Sequence, residues 1–229
     1  MTDEEGPHQN RPLVTGGAPL SVADAAMVLL HGRGGSAAGI VDTADAFYRH
    51  GLALVAPEAA YNRWYPSSFL APREANEPEL SSALRAVDDA VAEVAAAGID
   101  RERIVLLGFS QGGCLAAEYA AREPRRYGGL AVLSGGLIGP AVDPAVYGNQ
   151  SRGGSESEEP AGGTFAETPV LVGCSDEDPH VPLERVHETA AVFERLDGDV
   201  TERIYAGADH AITDDEVARV SEMVESLVG

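Results

Sequence analysis

A serine between two glycines is the most specific chemical feature of the sequence. Residues 108–112 read G-F-S-Q-G, which matches the G-x-S-x-G pattern of a nucleophilic serine on a tight strand-to-helix turn. Such a turn lifts the Ser110 hydroxyl clear of the sheet. It also places the backbone N–H of Gln111 at a helix N-terminus, where it can stabilise an oxyanion. The alternative interpretation is a glycine-lined turn with a structural serine.

An acid and a base that would activate this serine follow later predicted strands. Residues 176–182 read D-E-D-P-H-V-P, in which two prolines stiffen a loop with several carboxylates. Asp178 fits the D-P-x-V-P pattern of an acid loop, and Asp176 is the alternative. His210 lies in the loop after the last predicted strand, Val200–Tyr205, and is the candidate general base. Ser110, Asp178 and His210 thus occur in the order Ser, acid, His.

A glycine-rich loop supplies a second candidate donor to an oxyanion. Residues 31–35 read H-G-R-G-G directly after an early apolar run, and we expect the backbone N–H of Arg33 to face the site together with that of Gln111. The Arg33 side chain either meets an anionic substrate group or lies on the surface. We expect His31 to brace the loop rather than act as the base.

Apolar and aromatic residues after the second and fourth predicted strands are candidates for the substrate cleft. Since the carboxyl ends of parallel strands share one edge of the sheet, they are expected near the serine, with core packing as the alternative for the aromatic ones. His180, in the acid loop, is a further candidate for substrate contact. The predicted substrate-binding residues are Trp64, Tyr65, Phe69, Leu70, Leu137, Ile138 and His180.

The elements that must position these residues alternate along the chain. Short, continuous apolar runs are typical of parallel strands buried on both faces. The predicted strands are Ala26–Leu30, Leu52–Ala56, Ile104–Phe109, Leu130–Ser134, Val170–Cys174 and Val200–Tyr205. The predicted helices are Pro78–Ala97, Gln111–Arg122, Leu183–Leu196 and Asp214–Leu227. This alternation predicts an α/β fold, a mainly parallel sheet with helices on both faces.

Two segments lack a periodic pattern. Residues 1–12 are polar and are predicted to form a flexible tail, followed by a single domain over 13–229. Residues 139–169 are rich in Gly, Pro, Ser and Glu and are predicted to form an acidic surface loop. This loop is too short and polar for a large cap domain, so we expect an open cleft; a lid is the alternative.

The charge of the chain excludes polyanionic partners. Sixteen basic residues, all arginine, stand against 37 acidic residues, giving a net charge of −21. This charge disfavours nucleic-acid binding and anionic membranes. A lysine-free acidic surface is typical of extreme halophiles, in whose cytoplasm salt screens self-repulsion. Codon bias in a GC-rich genome is the alternative explanation for the missing lysines.

Cysteine usage and hydropathy predict a cytoplasmic protein. Cys114 and Cys174 lie far apart and indicate neither a disulfide framework nor a metal site. No apolar run reaches the length of a membrane span, and the first residues lack the pattern of a signal peptide. We therefore expect a small-molecule substrate and a monomer or homodimer.

These motifs together resemble the carboxylesterase/phospholipase family, which includes acyl-protein thioesterases, within the α/β-hydrolase superfamily. The resemblance extends from about residue 26 to 227 and includes a W-Y-P-S-S-F-L block at 64–70. It implies an α/β-hydrolase fold and a triad of Ser110, Asp178 and His210 with no metal or cofactor. The implied function is that of a serine carboxylesterase, with thioesterase or lysophospholipase activity as variants. A peptidase and a non-catalytic ligand-binding protein on the same fold are the alternatives.

Overall fold

One seven-stranded sheet runs through the part of the chain that the structure describes, residues 6–143, 147 and 164–228 of a computed structural model. The strands are β1 (Leu13–Gly17), β2 (Ala25–Leu30), β3 (Leu52–Pro57), β4 (Ile104–Phe109), β5 (Gly129–Leu133), β6 (Pro169–Ser175) and β7 (Asp199–Tyr205). Their order across the sheet is β1-β3-β2-β4-β5-β6-β7. β1 pairs with β3 in the antiparallel sense, and all other neighbours are parallel.

Helices cover both faces of the sheet. They are α1 (Ala37–Thr43), α2 (Glu79–Ala96), α3 (Gln111–Arg122), α4 (Leu183–Arg195) and α5 (Asp214–Glu225). Successive side chains of a strand point to opposite faces of the sheet. On β2, Val28 packs with apolar side chains of α2, α3 and α4 on one face, and Met27 packs with those of α1 and α5 on the other. The predicted α/β architecture is therefore confirmed. Among the described residues, no helix combines the length and the apolar character that crossing a membrane requires.

The order of the strands reverses beside β2. From β2 the chain moves to β3 on one side, and it then returns to place β4 on the other side of β2. In open α/β sheets, ligands bind outside the carboxyl ends of the strands at such a reversal. The loop after β2 and the turn after β4 therefore flank the expected position of a site.

Two elements were not predicted, because their sequences give weak local signals. β1 is five residues long and includes Gly16 and Gly17, and it forms by pairing Val14 with Ala56 at the edge of the sheet. α1 has seven residues and is capped by Ser36, whose hydroxyl accepts a hydrogen bond from the Gly39 N–H. Tertiary pairing and capping, rather than periodicity, stabilise these short segments.

The segment before β1 differs from its prediction. Residues 1–5 lie outside the described residues, but residues 6–12 do not form a loose tail. His8 is only 3% exposed, and Gln9 donates a hydrogen bond from its side-chain amide to the carbonyl of Ser82 on α2. The polar sequence gave no sign of this contact, because the segment is fixed by hydrogen bonds rather than by an apolar face.

Most of the predicted acidic loop, residues 144–146 and 148–163, lies outside the described residues. Its described parts are not all at the surface. Phe165 is fully buried against Tyr127 and Phe193, and Tyr147 is 7% exposed. The prediction of a surface loop over 139–169 is thus wrong at these two aromatic positions, since each buries an apolar ring that the polar composition around it obscured.

Candidate active site

The turn after β4 has the geometry that its glycines predict. Ser110 has a φ of 55°, in the left-handed region. A β carbon at Gly108 would lie 2.1 Å from the carbonyl oxygen of Gly112, and one at Gly112 would lie 2.1 Å from that of Leu30. Side chains at either position would therefore collide with backbone. The turn raises Ser110, the residue immediately before α3, to the edge of the cleft, where it is half-buried.

Three side chains from three loops form one hydrogen-bonded chain. The Oγ of Ser110 lies 2.9 Å from Nε2 of His210, and Nδ1 of His210 lies 2.6 Å from Oδ2 of Asp178. Because the carboxylate only accepts, Nδ1–H donates to Asp178, which leaves Nε2 as the acceptor for the Ser110 hydroxyl. The structure thus brings together the three residues predicted as a triad.

The Asp178 carboxylate is fixed from several sides. Its Oδ1 accepts hydrogen bonds from the backbone N–H groups of His180 at 2.8 Å and Val181 at 3.0 Å. Its side chain is fully buried. Burial raises the pKa of Asp178, but the hydrogen bonds from His210 and from these two amides outweigh burial and hold the pKa below its usual value. The carboxylate stays ionised and oriented toward the imidazole.

Asp176, the alternative acid, has a different role in the loop. Its Oδ1 accepts a hydrogen bond from the backbone N–H of Gly207 at 2.8 Å, and its own N–H donates to the carbonyl of Tyr205. These contacts join the loop after β6 to the loop that carries His210. Asp176 therefore connects the two loops, and Asp178 is the carboxylate that contacts the imidazole.

The two residues predicted to donate to an oxyanion, Arg33 and Gln111, line the same cleft as Ser110. Gln111 is the first residue of α3, so its N–H has no partner within the helix. In the loop after β2, the N–H groups of Gly34 and Gly35 donate to the carbonyls of Asn62 and Gly32. The N–H groups of Gly34 and Gly35 are therefore engaged with other carbonyls. Among residues 33–35, the N–H of Arg33 is the candidate that can face the serine.

The side chain of Arg33 braces the wall of the cleft. Its guanidinium donates to the backbone carbonyls of Tyr65 at 2.9 Å, Pro66 at 3.1 Å and Ser67 at 2.8 Å. These three contacts use the planar fork of the arginine to fix the loop that follows β3. The geometry supports a positioning role for this side chain rather than a contact with an anionic substrate.

His31 braces the loop after β2, as expected. Its Nδ1 lies 2.9 Å from the carbonyl oxygen of Gly32, and Nε2 accepts from the N–H of Ala59 at 3.3 Å. The ring is 2% exposed and packs against Trp64, with the ring centroids 5.0 Å apart. Burial lowers the pKa of His31, so the ring stays neutral and both nitrogens keep their partners.

A cleft of about 530 Å³ opens beside the serine. Of the predicted substrate-binding residues, Tyr65, Phe69 and His180 line it. The structure places Trp64, Leu70, Leu137 and Ile138 elsewhere, because Trp64, Leu137 and Ile138 are fully buried in the core and Leu70 packs against that core. The residues that line the cleft are Gly32, Arg33, Tyr65, Pro66, Ser67, Ser68, Phe69, Phe109, Ser110, Gln111, Cys114, Ser134, His180, Val181 and His210.

The described residues that line the cleft include no aspartate or glutamate, despite the net charge of −21 of the whole chain.

Sequence reasoning missed several residues of the cleft lining, notably Cys114, Ser134 and Val181. Cys114 lies one helical turn after Ser110 and Gln111 on the same face of α3, which a helical projection would have shown. Burial raises the pKa of its thiol to about 11, so this cysteine is a neutral wall group.

Solved structures of esterases share this fold. A phospholipase/carboxylesterase from Dyadobacter fermentans superposes with a TM-score of 0.85 at 39% identity, over 94% of this chain and 97% of that one. A carboxylesterase from Bacillus cereus superposes with a TM-score of 0.69 at 19% identity, over 96% and 95% of the two chains, a likeness of fold alone. The fold, with a serine on the turn after β4, defines an α/β-hydrolase.

The family is shown by a match over nearly the whole chain. The model of the phospholipase/carboxylesterase family matches residues 18–228. The chain belongs to this family.

Among curated relatives, an acyl-protein thioesterase 1 from Gibberella zeae is 32% identical over 123 residues, 54% of this chain and 47% of that protein. A putative esterase, NocK, from Nocardia uniformis is 28% identical over 200 residues, 82% of this chain and 54% of that protein. The matches thus span about half the length of these relatives.

Proposed function

We propose that the protein is a serine hydrolase that cleaves carboxylic esters through an acyl-enzyme intermediate. Ser110 is the nucleophile, His210 the general base and acid, and Asp178 the orienting carboxylate. One observation carries the proposal: the unbroken hydrogen-bonded chain from Asp178 through His210 to the Oγ of Ser110, at the edge of an open cleft. Membership of the family supports it.

In the first half of the reaction, the Oγ of Ser110 bonds to the ester carbonyl carbon as Nε2 of His210 takes its proton. The carbonyl electron pair moves onto oxygen, and the N–H groups of Arg33 and Gln111 donate to the resulting oxyanion. Asp178 holds the Nδ1–H and stabilises the imidazolium. Collapse of the intermediate expels the alcohol, which takes the proton from Nε2 and leaves Ser110 acylated.

In the second half, water takes the place of the alcohol. His210 removes a proton from the water as its oxygen bonds to the acyl carbon, and the same donors hold the second oxyanion. The ester bond to Ser110 then breaks, the Oγ recovers its proton from His210, and the carboxylic acid leaves. Every proton transfer in this sequence uses Nε2, so no metal or cofactor is required.

The lining of the cleft favours a small, uncharged ester. Aromatic and apolar groups such as Phe69 and Val181 alternate with hydroxyls, and no described carboxylate faces the substrate. The size of the cleft, about 530 Å³, suits acyl groups of short or flexible chain. Thioesters and lysophospholipids, which would react by the same acyl transfer, are further candidate substrates. His180 lies at the mouth of the cleft, its ring 4.9 Å from that of His210, and it is proposed to contact the leaving group.

Hydrolysis of p-nitrophenyl esters from acetate to palmitate tests the proposal. We expect release of p-nitrophenol well above the rate in buffer, with higher kcat/KM for the shorter chains that the cleft accommodates. If the protein binds the esters but releases no p-nitrophenol above the rate in buffer, in dilute or in molar KCl, the alternative of a non-catalytic ligand-binding protein is favoured.

We further propose that the acidic surface adapts the protein to the cytoplasm of a halophile. A net charge of −21 is self-repelling in dilute salt. Screening shortens from about 10 Å at 0.1 M to about 3 Å at 1 M salt. The melting temperature should therefore rise with KCl, by about 2–4 °C for each kcal/mol of repulsion removed.

Differential scanning calorimetry from dilute to molar KCl measures this rise. Sucrose is the control, because it is excluded from protein surfaces but screens no charge. A melting temperature that stays flat or falls with KCl, or that rises equally with sucrose, would favour codon bias as the reason for the missing lysines.

A further inference from the structure

The segment before β1 is attached to the body of the protein by a buried histidine. His8 is 3% exposed, and its backbone N–H donates to the Oγ of Ser82 at 3.0 Å. Ser82 is itself fully buried on α2 and donates from Oγ to Oε1 of Gln9 at 2.7 Å. These contacts hold the backbone of His8 and the side chain of Gln9 against α2, so the His8 ring has a defined position.

The ring of His8 bridges the two ends of a short turn. Its Nδ1 accepts from the backbone N–H of Ala60 at 3.0 Å, and Nε2 lies 2.9 Å from the carbonyl oxygen of Trp64. The amide of Ala60 only donates and the carbonyl of Trp64 only accepts, so the proton resides on Nε2. Both nitrogens of the neutral ring are thereby used, and one side chain closes the turn over residues 60–64.

This turn has an unusual backbone. Tyr61 and Asn62 have φ angles of 55° and 54°, in the left-handed region that non-glycine residues rarely occupy. Two such residues in succession persist only where surrounding contacts hold them. The side chain of Tyr61 is 79% exposed, so packing of its own ring does not provide that restraint, whereas His8 holds both ends of the turn.

The other side of the turn holds the loop after β2. The carbonyl of Asn62 accepts from the Gly34 N–H at 2.7 Å, and its side-chain amide donates to the Gly35 carbonyl at 2.8 Å. The indole N–H of Trp64 donates to the carbonyl of His31 at 2.8 Å. The turn is therefore hydrogen-bonded to this loop both before and after Arg33.

The end of the same turn, with Tyr65 after it, also contacts the side chain of Gln111 at the start of α3. The backbone N–H of Trp64 donates to Oε1 of Gln111 at 2.9 Å, and Nε2 of Gln111 donates to the carbonyl of Tyr65 at 2.9 Å. Gln111 supplies the other proposed donor from its backbone. Both proposed donors therefore depend on where residues 60–65 lie.

We propose that His8 is a positioning residue: it holds the turn over residues 60–64 and, through that turn, sets the amides of Arg33 and Gln111 that bind the oxyanion. The catalytic part of this inference rests on the proposed function. The segment before β1 then belongs to the support of the active site, although none of its described residues lines the cleft.

The charges around His8 are compatible with a neutral ring. Burial lowers the pKa of His8, and the carboxylate of Glu79 opposes this shift while the guanidinium of Arg11 adds to it. The ring of His31, which also packs against Trp64, is likewise neutral, and its Nε2 lies 3.7 Å from Oε1 of Glu58. A proton added to Nδ1 would oppose the Ala60 N–H, so the observed bridge requires the neutral form.

His8→Ala and His8→Gln test the proposal, because glutamine offers both a donor and an acceptor whereas alanine offers neither. Val94→Ala is the matched control: Val94 is fully buried near the far end of α2, away from the site. With p-nitrophenyl acetate, well below all melting transitions, we expect His8→Ala to lower kcat by about 10- to 100-fold with KM within about twofold. We expect His8→Gln to recover most of this loss and Val94→Ala to retain kcat.

Hydrogen–deuterium exchange of the same variants gives a readout that needs no catalysis. His8→Ala should speed exchange in peptides that cover residues 31–35 and 59–65, and Val94→Ala should leave both peptides unchanged. Unchanged exchange there in a folded His8→Ala protein, or a kcat loss matched by Val94→Ala, would overturn the positioning role. A wild-type protein that hydrolyses no ester would instead refute the proposed function, and the exchange data would still decide whether His8 holds the loop.

Discussion

Replacing Ser110 with alanine is expected to lower kcat for p-nitrophenyl acetate by a factor on the order of 10⁵–10⁶, as removal of the nucleophile does in other serine hydrolases. The hydroxyl is the only part of the side chain that alanine lacks, and Nε2 of His210 would have no proton to accept at that position. Donors on Arg33 and Gln111 would remain, so substrate binding should change little. The measurement is steady-state kinetics at saturating ester.

The fold should tolerate this substitution. Serine and alanine both carry a β carbon, so the left-handed backbone of residue 110 is strained to a similar degree in each. Ser81→Ala, on α2 and outside the cleft lining, is the matched control and should retain wild-type activity. A Ser110→Ala protein with the wild-type melting temperature and more than a tenth of the wild-type kcat would contradict the assigned nucleophile.

The second large effect is expected from the acid loop. Asp178→Asn should lower kcat by about 10⁴, because an amide in place of the carboxylate favours the wrong imidazole tautomer and cannot stabilise the imidazolium. The short contact of 2.6 Å between Oδ2 and Nδ1 of His210 is the interaction lost. The backbone donors at His180 and Val181 face Oδ1, so an asparagine oxygen there would turn the NH₂ group toward His210.

Asp176→Asn is the matched comparison, two residues away in the same loop. An asparagine oxygen can still accept from the Gly207 N–H, so the link between the two loops should persist. We expect activity within about threefold of wild type, since the lost charge lies at an exposed position where interactions are weak. Near-normal activity of Asp178→Asn, with a large loss in Asp176→Asn, would reverse the assignment.

The parts of the fold that sequence reasoning predicted well are those with strong local signals. The six parallel strands lie within one residue of their predicted bounds. Five of them, β2 to β6, are buried on both faces and are therefore continuous apolar runs between turns. Once their order along the chain was known, the loops after β4, β6 and β7 had to meet at one edge. That is why the order of the strands alone predicts that residues 110, 178 and 210 lie close together.

The parts that sequence reasoning missed depend on partners remote in sequence. His8 is buried by hydrogen bonds to a turn more than fifty residues away, and nothing in its polar neighbourhood indicates that contact. For Trp64 the sequence left both the cleft and the core open, and the structure places it in the core, where its indole N–H donates to the carbonyl of His31. The direction of a side chain after a strand depends on loop backbone, such as the left-handed Tyr61 and Asn62, which composition does not show.

Intact-protein and peptide mass spectrometry after treatment with a fluorophosphonate tests the central claim most directly. The probe phosphonylates a serine only where a base removes its proton and donors stabilise the developing charge. The account predicts a single adduct, in the peptide that contains Ser110, absent from the unfolded protein and from Ser110→Ala. An unlabelled Ser110 in the folded protein, or an adduct on another residue that persists in Ser110→Ala, would contradict it.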